Sequence, residues 1–246
     1  MIWGRIRKRP APLISVAFTV PVFLAYHLGI LLLKRQTHTQ SSRSGFDFVS
    51  TWMLRLIEAS APGYVLLTLV LALVLLVTTW VHQKRGKILE SPHKRVFWEA
   101  LGVAVVASAA LSWATYRVLH GSGSALSELP LLDRFVLAIG SGFHEEAVFR
   151  GLLISGGSWL LMKIKRFKGK SPWIGLGVCT VLSSALYVLA YYLFAFDGHS
   201  ARFNWGVATF RLIEALLFAA VYLTRGFAVA VYGHTFYNLF TLLWFF

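Results

Sequence analysis

Cysteine is almost missing from this chain: among 246 residues only Cys179 is one, and it sits inside an apolar run. A single thiol supports neither an intramolecular disulfide framework nor a cysteine-based metal site. Cys179 therefore reads as a small buried hydrophobe. Acidic residues are scarce too, with 10 Asp and Glu against 24 Lys and Arg and a net charge of +14. A balance of that sign can serve nucleic acid or an anionic membrane surface. Here the basic residues cluster in loops between apolar runs, and no nucleic-acid recognition motif accompanies them. The expected partner is a lipid bilayer with an anionic cytoplasmic leaflet, and nucleic acid is set aside. Internal repeats, low-complexity tracts and domain linkers are absent as well, and the connections between runs are too short for a separate soluble domain.

What the chain has is apolar length. Apolar residues make up 57% of it, above the roughly 45–50% of soluble domains, and several runs approach the ~20 residues that cross a bilayer. The expected fold class is all-α, a polytopic transmembrane helical bundle of about seven spans. Their approximate limits are Leu13–Leu33, Tyr64–Val81, Phe97–Tyr116, Leu131–Met162, Trp173–Phe196, Trp205–Leu223 and Phe227–Phe246. The fourth is long for one crossing and is expected to be tilted, kinked near Gly140–Gly142 or split. An eighth helix, lying on the membrane surface, is expected within Phe46–Ala59, where Phe46, Val49, Met53, Leu54 and Ile57 share a face.

Arg5, Arg7, Lys8 and Arg9 precede the first run as in a signal peptide, but the run is too long and no small-residue cleavage site follows. A retained first span is the expectation. Basic clusters at Lys84, Arg85, Lys87, Lys94 and Arg95, and at Lys163, Lys165, Arg166, Lys168 and Lys170, alternate with loops nearly devoid of positive charge. This pattern puts the N-terminus in the cytoplasm and the C-terminus outside, against the discordant Lys34, Arg35 and Arg43 in the first external loop. Trp3, Trp80, Trp173, Trp205 and Trp244 suit interfacial belts. Compactness and charge bias suggest a bacterial inner membrane.

Three charges interrupt the fourth run: Glu145, Glu146 and Arg150, in Gly142–Phe143–His144–Glu145–Glu146–Ala147–Val148–Phe149–Arg150–Gly151. One unpaired charge at the centre of a membrane helix costs about 2.5–3.5 kcal/mol on insertion scales, so the cluster needs a reason. On an α-helix Glu146 and Arg150 are i and i+4 and can pair, while Glu145 lies about 100° from Glu146 and about 140° from Arg150. The cluster is then either an ion network that locks helices together, or a site in which Arg150 holds Glu146 while Glu145 faces a watered cavity as a base. A carboxylate in apolar surroundings is a better base than one in water. The last run adds His234 and Asn238, also i and i+4, which can converge as donors on an oxyanion or simply bond to neighbouring helices. Arg211 and Glu214, at i and i+3 in the sixth run, read as mutual neutralisation.

Several known solutions for intramembrane hydrolysis do not fit. His144–Glu145–Glu146–Ala147–Val148 lacks the second His of H-E-x-x-H, Ile139–Gly140–Ser141–Gly142 is not G-x-S-G, and no G-x-G-D occurs. No cofactor and no metal are expected.

Glu145–Glu146–Ala147–Val148–Phe149–Arg150 resembles the E-E-x-x-x-R motif of the CAAX-protease and bacteriocin-processing family (CPBP, or ABI) of glutamic intramembrane proteases. His234–Thr235–Phe236–Tyr237–Asn238 resembles that family's last motif, H-x-x-x-N/D, and Thr224–Ala230 resembles the approach to it. The resemblance covers residues 131–246, the core helices, and leaves 1–130 as N-terminal transmembrane helices and loops. It implies Glu145 as the base that activates water, Glu146 and Arg150 as its support, and His234 and Asn238 as oxyanion donors. The family's middle motif, F-x-x-x-H, falls on Tyr187–Val188–Leu189–Ala190–Tyr191, with Tyr191 in the histidine position. A tyrosine hydroxyl orients water but accepts protons poorly, and losing a general base or its partner typically costs about 10²–10⁴ in rate. His199 and His144 could replace that imidazole only through a loop fold or a kink. Two readings follow. One is a metal-independent endopeptidase (a hydrolase) acting on a membrane-associated protein or peptide. The other is a catalytically inactive relative that binds a peptide or partner protein as a scaffold. A transporter subunit is disfavoured by the lack of inverted repeats.

Overall fold

The computed structural model describes residues 12–36, 61–82, 93–121, 130–164, 167, 171–193 and 203–245. Among these residues all regular structure is helical and no strand occurs, as the apolar runs led us to expect. The elements are α1 (Pro12–Phe18), α2 (Val20–Gln36), α3 (Ala61–His82), α4 (His93–Gly121), α5 (Leu131–Glu145), a π-helical segment (Glu146–Gly156), α6 (Gly157–Lys163), α7 (Pro172–Leu193), α8 (Trp205–Arg225) and α9 (Phe227–Phe245). Within α7 and α8, Pro172–Tyr192 and Trp205–Arg225 are each long and apolar enough, by length and composition, to cross a bilayer. The surface helix expected within Phe46–Ala59 lies outside the described residues. So do His199, the N-terminal basic cluster and most of the basic loop residues on which orientation was read.

The long fourth run is neither split nor interrupted near Gly140–Gly142. α5, the π segment and α6 form one continuous helical rod, with helical angles at the junctions Glu146 (φ −66°, ψ −38°) and Gly157 (φ −61°, ψ −45°). Its irregularity is the wider π turn, and that turn begins at the second glutamate. π segments inside α-helices occur frequently at functional sites.

α9 is the central helix and packs against α4, α5, α8 and α1. Ala228, Val229, Ala230 and Val231 are buried all the way round, which is what an interior helix requires. α4 meets it with a stripe of Ala100, Ala104, Ala107 and Leu111, all buried; small side chains at that spacing let two helix backbones approach closely. Between α5 and α9 the approach is closer still. A Cβ on Gly142 would lie 2.8 Å from both Cα and N of Thr235, a separation that real contacts do not tolerate. Glycine at 142 thus brings the residue after His234 against the helix that carries Glu145.

The ends of the core helices are fixed by local chemistry. The Asn204 side chain accepts from Gly206 N (2.8 Å) and Val207 N (3.2 Å) and caps α8, satisfying amides that a helix start leaves orphaned. Gly226, at φ +96°, separates α8 from α9; that backbone conformation suits only glycine. Ser15 Oγ accepts from Ala228 N at 2.7 Å, so α1 caps the start of α9.

The polarity is inverted relative to a soluble domain. Glu145, Glu146, Arg150, Glu214 and His234 are buried, whereas Leu66, Leu73, Trp98, Val106, Val181 and Trp205 are exposed.

Candidate active site

Four helical elements deliver the buried charges to one point. The α5–π junction carries Glu145 and Glu146, and the π segment carries Arg150. α7 brings Tyr187, α8 brings Arg211 and Glu214, and α9 brings His234. The imidazole of His234 is the hub. Its Nδ1 lies 2.8 Å from Glu146 Oε1, while its Nε2 lies 3.8 Å from Glu145 Oε2 and 3.9 Å from Glu214 Oε1. Phe218 stacks on the ring with centroids 4.3 Å apart and planes 13° apart. The adjacent glutamates point apart, as the 100° step of a helix demands, but both reach His234, one at each ring nitrogen.

Each carboxylate has its own support. Arg150 Nη1 lies 3.2 Å from Glu146 Oε1, and Arg150 Nη2 donates to the Ala215 carbonyl on α8 at 3.0 Å. The guanidinium has five N–H donors, so its contact with Glu146 leaves donors free to reach α8. Ser183 Oγ donates to the Phe149 carbonyl at 2.6 Å and ties α7 to the same turn. The Tyr187 hydroxyl lies 2.8 Å from Glu145 Oε2 and 3.3 Å from Glu214 Oε2. One hydroxyl hydrogen serves one acceptor at a time, so the shorter bond, to Glu145, is the principal one. Arg211 Nη1 donates to Glu214 Oε2 at 2.9 Å.

Glu145, Glu146 and Glu214 face Arg150, Arg211 and the ring of His234. Buried ions persist when they are paired and hydrogen-bonded, because an isolated one costs several kcal/mol. Among the described residues no group of three or more His, Cys, Asp or Glu is arranged to hold a metal ion.

Of the residues singled out in the sequence, Glu145, Glu146, Arg150 and His234 come together here. Asn238 sits one turn along α9 from His234, and its Nδ2 donates to Ser141 Oγ at 2.8 Å and approaches the Ala138 carbonyl at 3.4 Å, both on α5. Tyr191 packs its ring under the Arg211 guanidinium, 4.6 Å from Cζ to centroid. The tyrosine that bonds Glu145 is Tyr187, one turn earlier. His144 bonds back to the Gly140 carbonyl at 2.9 Å, and its ring packs against Tyr26 on the α2 side of the rod. Sequence reasoning missed Tyr187 and Glu214. Arg211 and Glu214 do neutralise one another, but Glu214 also reaches the hub. The available signal was a second charged cluster in an apolar run, which by itself fits a local pair equally well.

Residues 127–240 match the family model for type II CAAX prenyl endopeptidases, Rce1-like. The match bears out the resemblance read from the two motifs and spans every residue of the site just described. No curated protein and no solved structure matches the chain.

Proposed function

We propose that this protein is a metal-independent glutamic intramembrane endopeptidase, with residues 131–246 as its catalytic core and residues 1–130 as accompanying membrane helices. The observation that carries this reading is His234 clasped between Glu146 at Nδ1 and Glu145 near Nε2, inside the bundle. Glu145 takes a proton from the attacking water. Glu146, neutralised by Arg150, orients His234 as a carboxylate orients the histidine of a hydrolytic triad. With Nδ1 committed to Glu146, Nε2 faces the reacting atoms, and a protonated His234 donates from it to the tetrahedral oxyanion. Asn238, on the same face of α9, is the second donor and exchanges its Ser141 bond for the oxyanion.

The setting is a multi-pass bundle in a bacterial inner membrane, its basic loops on an anionic cytoplasmic leaflet. α3 supports this beyond α7 and α8: its 22 residues contain no Asp, Glu, Lys or Arg, and Leu66, Leu69, Leu73 and Trp80 face outward. The substrate is a membrane-associated protein or peptide, and the matched family's description makes a prenylated CAAX terminus the first to try.

The test is cleavage of a farnesylated peptide ending in a CAAX sequence by the purified protein in detergent. Expected outcomes are turnover unaffected by chelators and loss of turnover in Glu145→Gln. Full activity in Glu145→Gln would sink the mechanism. A second reading, a scaffold that binds the peptide without cutting it, draws on Tyr191, which occupies the histidine position and packs on Arg211. Saturable peptide binding with no cleavage, unchanged in Glu145→Gln, would favour it.

A further inference from the structure

Glu214 is the group at the hub that the two motifs do not account for. It is 1% exposed, and its Oε1 lies 3.9 Å from His234 Nε2. Glu145 Oε2 lies 3.8 Å from the same nitrogen. Both separations are too long for a direct hydrogen bond, so the two carboxylate oxygens flank the same ring nitrogen without bonding it. The remaining Glu214 oxygen is held by Arg211 at 2.9 Å, and the Tyr187 hydroxyl spans the Oε2 atoms of the two acids at 2.8 and 3.3 Å. Arg211 is in turn stacked on Tyr191. Tyr187, Tyr191, Arg211 and Glu214 therefore form one contact chain that ends at the hub, on the side where Tyr191 replaces an imidazole.

We infer that Glu214 is a further catalytic residue: with Glu145 it holds the attacking water, doing the orienting that an imidazole would otherwise do. Arg211 and Tyr191 are its positioning residues. The inference rests on the endopeptidase reading and adds a residue to it. The water oxygen attacks the carbonyl carbon, and the carbonyl electron pair moves onto its oxygen. One water proton passes to Glu145; the other hydrogen stays on the water oxygen, and its hydrogen bond to Glu214 Oε1 aims the lone pair. Glu145 then gives its proton to the amide nitrogen as the C–N bond breaks, leaving an acid, an amine and the carboxylate restored. Glu214, paired with Arg211, accepts a hydrogen bond throughout and exchanges no proton. Two acceptors from two helices fix one water more narrowly than Glu145 alone, and orientation of that kind is a recognised source of rate.

The experiment compares wild type, Glu145→Gln, Glu214→Gln and Glu214→Asp on the farnesylated peptide, with thermal unfolding as a fold control. Glu214→Gln should lower kcat about 10²–10⁴-fold with KM unchanged, and Glu214→Asp should restore part of the loss. Glu214→Gln within threefold of wild type, while Glu145→Gln is dead, overturns this inference and leaves the endopeptidase reading standing. An active Glu145→Gln overturns both. If the wild type does not cleave the peptide, infrared spectra of the full-length protein decide. The Glu214 carboxylate band, assigned by its loss in Glu214→Gln, should shift in Glu145→Gln, and should still shift when Tyr187→Phe is added to both. A band that stays in place overturns the shared water.

Discussion

Removing Arg150 should be far more damaging than removing Arg150 and the charge it serves together. Arg150 is 1% exposed and Glu146 is 0% exposed, so neither charge has water to fall back on. At 3.2 Å and an effective dielectric of about 20, two unit charges attract by about 5 kcal/mol. Desolvation offsets much of that, so the intact pair is worth little against apolar groups of the same shape. Deleting one partner is different, because the survivor keeps its desolvation cost and loses its compensation, a change of about 3–5 kcal/mol. Arg150→Met leaves Glu146 with the His234 ring as its nearest partner. The Ala215 carbonyl loses the Arg150 Nη2 bond, a smaller effect for an acceptor inside a helix. We expect Arg150→Met to lower the unfolding temperature in detergent by roughly 6–20 °C, taking 2–4 °C per kcal/mol for a chain of this size. Arg150→Met with Glu146→Gln should recover at least half of the loss. The assay is thermal unfolding followed by intrinsic fluorescence, run on both variants and on Glu146→Gln alone. A loss below about 3 °C in Arg150→Met, or a double variant no better than the single, would refute the argument that Glu146 is a buried carboxylate compensated by Arg150.

Other consequences can be checked on the same material. Tyr187→Phe removes the donor on Glu145; a hydrogen bond to a charged group is worth about 1.5–3 kcal/mol, and chemical denaturation should register a loss of that order. Phe218→Ala deletes the ring stacked on His234 and should cost about 3–5 kcal/mol, with kcat falling as the imidazole loses its fixed plane. Gly142→Val places atoms against the Thr235 backbone and should separate α5 from α9, so expression or unfolding temperature should fall sharply while the equivalent change at Gly102, which faces open space, is tolerated. Asn238→Ala should lower kcat about 10²–10³-fold, the usual effect of losing one oxyanion donor; kcat unchanged would confine Asn238 to its bond with Ser141.

Much of the helical fold was legible in the sequence because apolar length is a one-dimensional signal. A run such as Ala61–His82, with no charged residue, can only be helical if it meets lipid, since hydrocarbon offers no partners for exposed backbone groups. The site was half legible. Glu145, Glu146, Arg150 and His234 stood out because charge and imidazole in apolar runs are expensive, and expense marks purpose. Their order in the chain matched a motif.

The sequence alone determined that the chain is rich in apolar helical runs, that its second half carries an E-E-x-x-x-R and an H-x-x-x-N element, and that a tyrosine, Tyr191, lies in the run between them. Only the tertiary structure decided which groups share the site. Helix phase places Glu145 and Glu146 apart on one rod, yet His234 joins them, because Gly142 lets α9 come within backbone contact. Tyr187 rather than Tyr191 meets Glu145, and Glu214 leaves its local pair to reach the hub. Such proximity depends on how four helical elements are rotated and spaced against one another. Rotation and spacing are set by packing between residues far apart in the chain, and no local pattern encodes them.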